Sequence, residues 1–322
     1  MPEGHTIHRL AADLHARFTG AVVSASSPQG RFADSAALVD GHRMTGTEAH
    51  GKHLFLGFDA APPGSTGGGP GGTRWVHIHL GLYGKFTVSD GEAPPPRGQI
   101  RLRLTDEGHC ADLRGPNTCE LLTRGEKQQL HQRLGPDPLR EDGDPAVAYE
   151  RLSRSSVAVG ALLLDQKIIA GVGNIYRAEV LFRHGVDPYL PAKLLPRRTW
   201  DEMWQDLSEL MAAGVAAKRI DTVRPEHTPE AMNREPRVDG HGGEVYVYRR
   251  AHRTCLICGT PVRTAEMFGR NLFWCPTCQP AHTPAAGAGS ASTTAFASTA
   301  VTAGTSRTAA SCSAESVAAK PL

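Results

Sequence analysis

"CLICGTPVRTAEMFGRNLFWCPTC", residues 255–278, carries two Cys-x-x-Cys pairs, Cys255 with Cys258 and Cys275 with Cys278. Each pair suits a tight turn that aims two thiolates at one point, and the gap between the pairs is that of a zinc ribbon. Four sulfurs leave no open position on a tetrahedral ion, so the spacing predicts one structural Zn2+ rather than a catalytic one. Disulfides are the competing reading. "MPEGHTIHRLAADLHARF" (1–18) has no continuous apolar run of the secretory kind, and no stretch reaches transmembrane length. The expected setting is cytoplasmic and reducing, with no membrane contact, which favours thiolates over disulfides. Cys110, Cys119 and Cys312 lack such partners and read as buried or incidental thiols. Between residues 249 and 278 the charge is one-sided: Arg249, Arg250, Arg253, Arg263 and Arg270 stand against Glu266 as the only acid. Such a strip is either a phosphate-contacting surface or a solvated face.

Upstream of the cysteines the pattern is helical. "VGALLLDQKIIAGVGNIYRAEVLFRHG" (159–185) reads as two apolar helical runs broken by Gly171 and Gly173, and "TWDEMWQDLSELMAAGVAAK" (199–218) as a further amphipathic helix. Asn174 opens the second run. Backbone N–H groups at a helix start, with an Asn amide beside them, suit an anion such as a DNA phosphate, although Gly-then-Asn also describes an ordinary helix start. "DTVRPEHTPEAMNREPRVDGHGG" (221–243) reads as a long loop, followed by a short strand before the cysteines.

The first half of the chain reads as mainly β. "AVVSASS", "HLFLGFD", "RWVHIHLGLYGKFTV" and "IRLRLTD" are short segments bounded by Gly, Pro and Asp, and a single helix pattern precedes them. Ile7, Leu10, Ala11, Leu14 and Phe18 share one face of that helix. A helix laid against a β-sandwich follows. His77 and His79 lie on one side of a strand; they could bind metal, but no third ligand is evident. Lys52 sits in a Gly-flanked turn, where a lysine is ordinarily just solvated. "APPGSTGGGPGGT" (61–73) reads as a flexible insertion, and the Ala/Ser/Thr-rich stretch 281–322 as a disordered tail. The 322 residues suffice for more than one domain, and a net charge of +2 means that any nucleic-acid signal must be local.

These pieces together resemble the bacterial formamidopyrimidine-DNA glycosylase/endonuclease VIII family. The resemblance covers about residues 2–280. It rests on "PEG" after Met1, "GKH" at 51–53, "HLGLYG" at 79–84, "LLLDQKIIAGVGNIYRAEVLF" at 162–182 and "FGRNLFWCPTCQ" at 268–279. It implies an α+β multidomain fold: an N-terminal β-sandwich with flanking helices (1–135), a helix–two-turns–helix DNA-binding domain (136–235) and a zinc-finger hairpin (236–280), then the tail. It implies that Pro2, freed of Met1, is the nucleophile and that Glu3 serves the acid and base steps. Lys52 matches the catalytic lysine of the sandwich. Asn174 and Arg270 match the residues that hold phosphates flanking the extruded nucleotide, and Leu82 and Tyr83 occupy the wedge positions that fill the vacated stack. The implied activity is a bifunctional DNA glycosylase/AP lyase acting as a monomer on damaged double-stranded DNA, which excises the base through a Schiff base and nicks the strand by β,δ-elimination.

"PEG" and the Leu-Tyr wedge look closest to the actinobacterial type of endonuclease VIII, which implies oxidised pyrimidines as substrates. Many members carry a second Glu three positions after the catalytic one; Thr6 stands there instead, and that role is not carried over. Two other readings compete. A damage-binding protein without catalysis would need neither Pro2 nor Glu3, and a zinc-ribbon protein of RNA or ribosome binding explains the cysteines but not the terminus.

Overall fold

A computed structural model describes residues 2–59, 73–239 and 243–283. The stretch 61–73 and the tail 281–322 fall almost wholly outside the described residues, and Cys312 lies outside them. From residue 4 the chain forms α1 (Gly4–Phe18), whose buried face includes Ile7, Leu10, Ala11, Leu14 and Phe18, the set expected from helical spacing. Eight strands follow: β1 (Val22–Ser26), β2 (His42–His50), β3 (His53–Phe58), β4 (Arg74–His79), β5 (Lys85–Asp90), β6 (Ile100–Thr105), β7 (His109–Arg114) and β8 (Thr118–Leu122). All pairs are antiparallel, in the order β5-β7-β6-β1-β2-β3-β4-β8. Strand β1 spends Val22 and Val23 on β2 and Ser24 to Ser26 on β6, so it passes from one half of the sandwich to the other. Leu54, Leu56, Phe58, Val76 and Ile78 from one half meet Phe86, Leu102, Leu104 and Leu113 from the other, and α1 closes that core.

The single-helix reading of this half is incomplete. A short α2 (Ala33–Ala37) interrupts the strands, and α3 (Arg124–Arg133) covers the outer face of β4 and β8. Helix α3 starts on a capping box: Thr123 accepts from the Glu126 N–H while the Glu126 carboxylate accepts from the Thr123 N–H.

The second half packs α4 (Pro145–Ser153), α5 (Val159–Leu162), α6 (Asn174–Arg183) and α7 (Arg197–Ala217) around Tyr176, Phe182, Trp200, Met203 and Tyr246. Of the two helical runs expected across 159–185, the second forms along most of its length and the first only over its opening residues. Only α5, four residues long, and α6 form, and the apolar stretch between them is a series of turns. Ile169 and Val172 are nevertheless buried, so a core requirement produced apolarity without helical geometry.

The strand expected before the cysteines is absent too. The N–H groups of Tyr246, Val247 and Tyr248 all donate to the buried Glu179 carboxylate, at 2.7, 2.9 and 2.8 Å, and so have no strand partner to seek. Strands β9 (Arg263–Met267) and β10 (Arg270–Trp274) form the zinc-finger hairpin. Its two-residue turn, Phe268–Gly269, has φ of 51° and 68°. Positive φ at both positions is what the right-handed strand twist asks of such a turn.

Candidate active site

The amino-terminal residues, the β2–β3 turn and the loop before α6 meet at glycines. The Gly4 N–H donates to the Gly171 carbonyl at 2.8 Å. A Cβ on Gly4 would lie 2.9 Å from Gly171 Cα, and one on Gly51 2.8 Å from Gly171 N. Gly51 and Gly171 also have φ of 58° and 90°, which other residues resist. Asp137, almost wholly buried, reinforces the junction by accepting from His8 Nε2 and the Gly51 N–H, both at 2.7 Å.

This junction sets Glu3 at the tip of α6. Its carboxylate accepts from the N–H groups of Gly173 at 2.9 Å and Ile175 at 2.8 Å, with Tyr176 more distant at 3.4 Å. The side chain of Glu3 fills the place where a Cβ on Gly173 would stand, 2.6 Å from Glu3 Cγ. Burial pushes the Glu3 pKa above the usual carboxylate range, against the lowering effects of the Lys52 charge and the three N–H groups. Lys52 donates from Nζ to the Val172 carbonyl at 2.7 Å. Burial lowers its pKa, opposed by Glu3 and assisted by Arg270. Pro2, half-buried, precedes this carboxylate directly in the chain.

A cavity of about 370 Å3 opens beside this cluster, lined by Leu82, Tyr83, Asn174, Tyr248, Arg249 and Arg270 among others. Leu82 is 51% and Tyr83 89% exposed, which excludes core packing for both. Asn174 is held from two sides. Its Nδ2 donates to the Asn271 carbonyl at 2.9 Å, and its Oδ1 accepts from Arg177 Nη2. The free anion site read at this helix start is therefore corrected: in this structure its N–H groups serve Glu3.

The four cysteine sulfurs lie within 4.8 Å of one another, with Cys255 to Cys278 at 3.8 Å and Cys258 to Cys275 at 3.4 Å. Sulfurs about 2.3 Å from a central zinc stand about 3.8 Å apart in a tetrahedron, so the set fits the ion. Among the described residues no other group of three or more His, Cys, Asp or Glu is placed to hold a metal. His77 does gain neighbours, but as a hydrogen-bonded chain: His53 Nδ1 lies 2.8 Å from His77 Nε2, and His77 Nδ1 lies 2.8 Å from Glu120 Oε1.

Three family models match the chain in order: the formamidopyrimidine-DNA glycosylase N-terminal domain over residues 1–119, the H2TH domain of the same glycosylase over 134–224, and the zinc finger found in FPG and IleRS over 254–281. Endonuclease 8 1 of Mycobacterium tuberculosis is 48% identical over 286 residues, covering 87% of this chain and 100% of the relative. The chain belongs to the formamidopyrimidine-DNA glycosylase/endonuclease VIII family. Among solved structures, the MutM (Fpg) protein of Thermus thermophilus aligns with a TM-score of 0.65 at 27% identity, over 88% of this chain and 100% of its own. The Lactococcus lactis formamidopyrimidine-DNA glycosylase bound non-covalently to DNA with an AP site has the same fold, with a TM-score of 0.66 at 22% identity over 87% and 100% of the two chains. The family fold accounts for the sandwich, the helical domain and the zinc hairpin, and the cysteine set for one structural zinc.

Within this family frame the residues singled out in the sequence converge. Glu3, Lys52 and Asn174 gather around residues 172–176, and Leu82, Tyr83, Asn174 and Arg270 share one cavity. Sequence reasoning missed three others. Gly173 has φ −123°, so its missing side chain, rather than a special backbone, makes room for Glu3. Arg177, fully buried, ties α6 to β10 by donating from Nη2 to the Asn271 carbonyl at 2.9 Å. A charge inside the apolar "NIYRAEVLF" was its only signal. Tyr248 lines the cavity from a segment misread as a strand.

Proposed function

We propose that the chain excises oxidised pyrimidines from duplex DNA through Pro2 and then cleaves the abasic strand. The observation that carries this reading is Glu3: a carboxylate buried at a helix tip, its proton affinity raised, directly beside the residue that becomes the terminal amine once Met1 is removed. The chain is a DNA glycosylase with AP lyase activity of the base excision repair class. The division at 1–135, 136–235 and 236–280, monomeric action and a cytoplasmic setting are parts of the same proposal. Among the described residues no helix is long and apolar enough to cross a membrane.

The chemistry follows from the amine. A free α-amine has a pKa of about 7.7–8.0, so about a tenth to a sixth of it is neutral at pH 7. The Pro2 nitrogen bonds to C1′ of the extruded nucleoside as the glycosidic bond breaks, and the base departs with its electron pair and takes up the proton that the amine nitrogen gives up. Protonated Glu3 gives its proton to the ring oxygen, the sugar opens, and a secondary amine leaves a cationic iminium with no further proton needed. That cation draws electrons as the Glu3 carboxylate, having given up its proton, takes one from C2′ and the 3′ phosphate is expelled; a second elimination then expels the 5′ phosphate. Water finally releases the sugar fragment and the amine. Lys52 sets the field at Glu3, Asn174 and Arg270 hold the flanking phosphates, and Leu82 with Tyr83 fills the gap in the stack.

Support for the pyrimidine branch is the 48% identity to a protein named endonuclease 8 1 and the exposed Leu-Tyr pair. The test is Glu3→Gln on duplexes carrying oxidised pyrimidines, 8-oxoguanine or a pre-formed abasic site. Excision should fall far more than nicking of the abasic duplex, because the pre-formed aldehyde skips the glycosidic step. Equal losses in both assays would contradict the roles given to Glu3, and a wild type that prefers 8-oxoguanine would overturn the substrate class.

A further inference from the structure

The five arginines of the basic strip have separate fates. Arg250 is turned inward, donating from Nη1 to the Tyr246 carbonyl at 2.5 Å and from Nη2 to the Thr254 carbonyl at 2.9 Å. Arg253 and Arg263 line other depressions. Only Arg249 and Arg270 face the cavity that holds Leu82, Tyr83 and Asn174. The ion pairs around them, such as Arg234 with Glu244 and Arg237 with Asp239, leave neither guanidinium a carboxylate among the described residues.

Arg249 differs from Arg270 in its backbone. Its φ is 53°, in the left-handed region that a residue with a Cβ resists. The turn is held there from both sides. The three N–H groups just before it are fixed on the Glu179 carboxylate, and the Arg250 N–H donates to the Val247 carbonyl at 3.0 Å. Its guanidinium lies 5.8 Å from the centroid of the Tyr248 ring, itself packed edge-on against Phe273 at 5.5 Å. A glycine would satisfy this turn without strain. An exposed cation stands there instead, held at the Tyr248 side chain and with no carboxylate partner among the described residues, and strain kept at such a place on the rim of the site points to a ligand.

We infer that Arg249 grips a phosphate of the damaged strand, as a second guanidinium lining the same cavity as Arg270, and that its strained turn serves to aim it. This rests on the DNA-lyase reading above and adds to it a contact that positions the DNA without reading the base.

The test uses three full-length variants, Arg249→Ala, Arg249→Gly and Arg270→Ala, with one duplex carrying an oxidised pyrimidine and one carrying a tetrahydrofuran abasic analogue, which has no base. Arg249→Ala should weaken binding about tenfold at low salt, by the same factor on both duplexes. The slope of log affinity against log salt should fall by about 0.9, so that its deficit shrinks about 3.5-fold between 50 and 200 mM salt. Arg249→Gly should match it in binding while keeping or raising the thermal midpoint, because the strain is gone. Loss confined to the base-bearing duplex would make Arg249 a base reader and overturn the inference. Unchanged binding in both Arg249 variants, or a fall in thermal midpoint that accounts for the binding loss, would overturn it as well. Wild-type excision with a normal Arg270→Ala defect in those cases leaves the parent reading standing, whereas an inactive wild type would sink that reading instead.

Discussion

Gly173→Ala puts the geometry of the acid under direct test. The backbone there, φ −123° and ψ −159°, is open to alanine, so the only perturbation is the added methyl group. That carbon would stand 2.6 Å from Glu3 Cγ and 2.7 Å from Oε1, where ordinary contact begins near 3.4 Å. The carboxylate must therefore retreat by about 1 Å, which breaks or stretches its bonds to Gly173 and Ile175. A displacement of that size costs a reacting group about 100-fold in rate, or about 2.7 kcal/mol of transition-state stabilisation. Overpacking costs the fold a further 1–3 kcal/mol or so, a drop of roughly 2–4 °C in thermal midpoint per kcal/mol for a domain of this size class. Single-turnover base excision on a lesion duplex is the assay, with circular dichroism and a thermal melt to establish that the variant is folded. The double variant Gly173→Ala/Glu3→Gln should be no slower than Glu3→Gln alone, because both changes disable one group. Excision by a folded Gly173→Ala within threefold of wild type would refute the reasoning.

Cys275→Ser, or chelation of the wild type, should release the hairpin and lower DNA affinity while the sandwich keeps its cooperative melt, since metal binding holds only that segment; near-UV circular dichroism with a binding isotherm checks this. Stability should also fall with acid in a definite window. Burial holds His5 and His131 at about 4 and His53 at about 3, against about 6.5 unfolded, so their contribution is present above pH 6.5 and is lost as pH drops from there toward 3–4, at up to about 1.4 kcal/mol per pH unit for each histidine. Urea titrations across that window should show the slope, and His53→Asn should flatten it.

The parts legible in the sequence were those whose partners are near in the chain or fixed by chemistry. Four cysteines must converge if they bind one ion, and the apolar face of α1 depends only on helical period. Long-range partners decided the rest. "EVYVY" alternates like a strand, but its N–H groups belong to Glu179, far away in the chain. The N–H groups of the α6 tip looked free for a phosphate, yet Glu3 takes them. His77 and His79 were visible as a pair, whereas the packing of the His53 ring against both, stacked on His77 and tilted to His79, depended on β3–β4 register. Apolarity across 162–172 signalled burial correctly and geometry wrongly, because turns packed against a core need the same residues as a buried helix.

The central claim, that Pro2 forms the covalent bond to the sugar, is tested most directly by reducing the reaction with borohydride and mapping the adduct. Wild-type protein, freed of Met1 and mixed with a duplex bearing an oxidised pyrimidine, should yield a trapped complex whose proteolytic digest carries the sugar remnant on the amino-terminal peptide, at the Pro2 nitrogen. Protein that retains Met1 should give no such complex while still binding the duplex. An adduct mapped to Lys52, or efficient trapping with Met1 in place, would contradict the account.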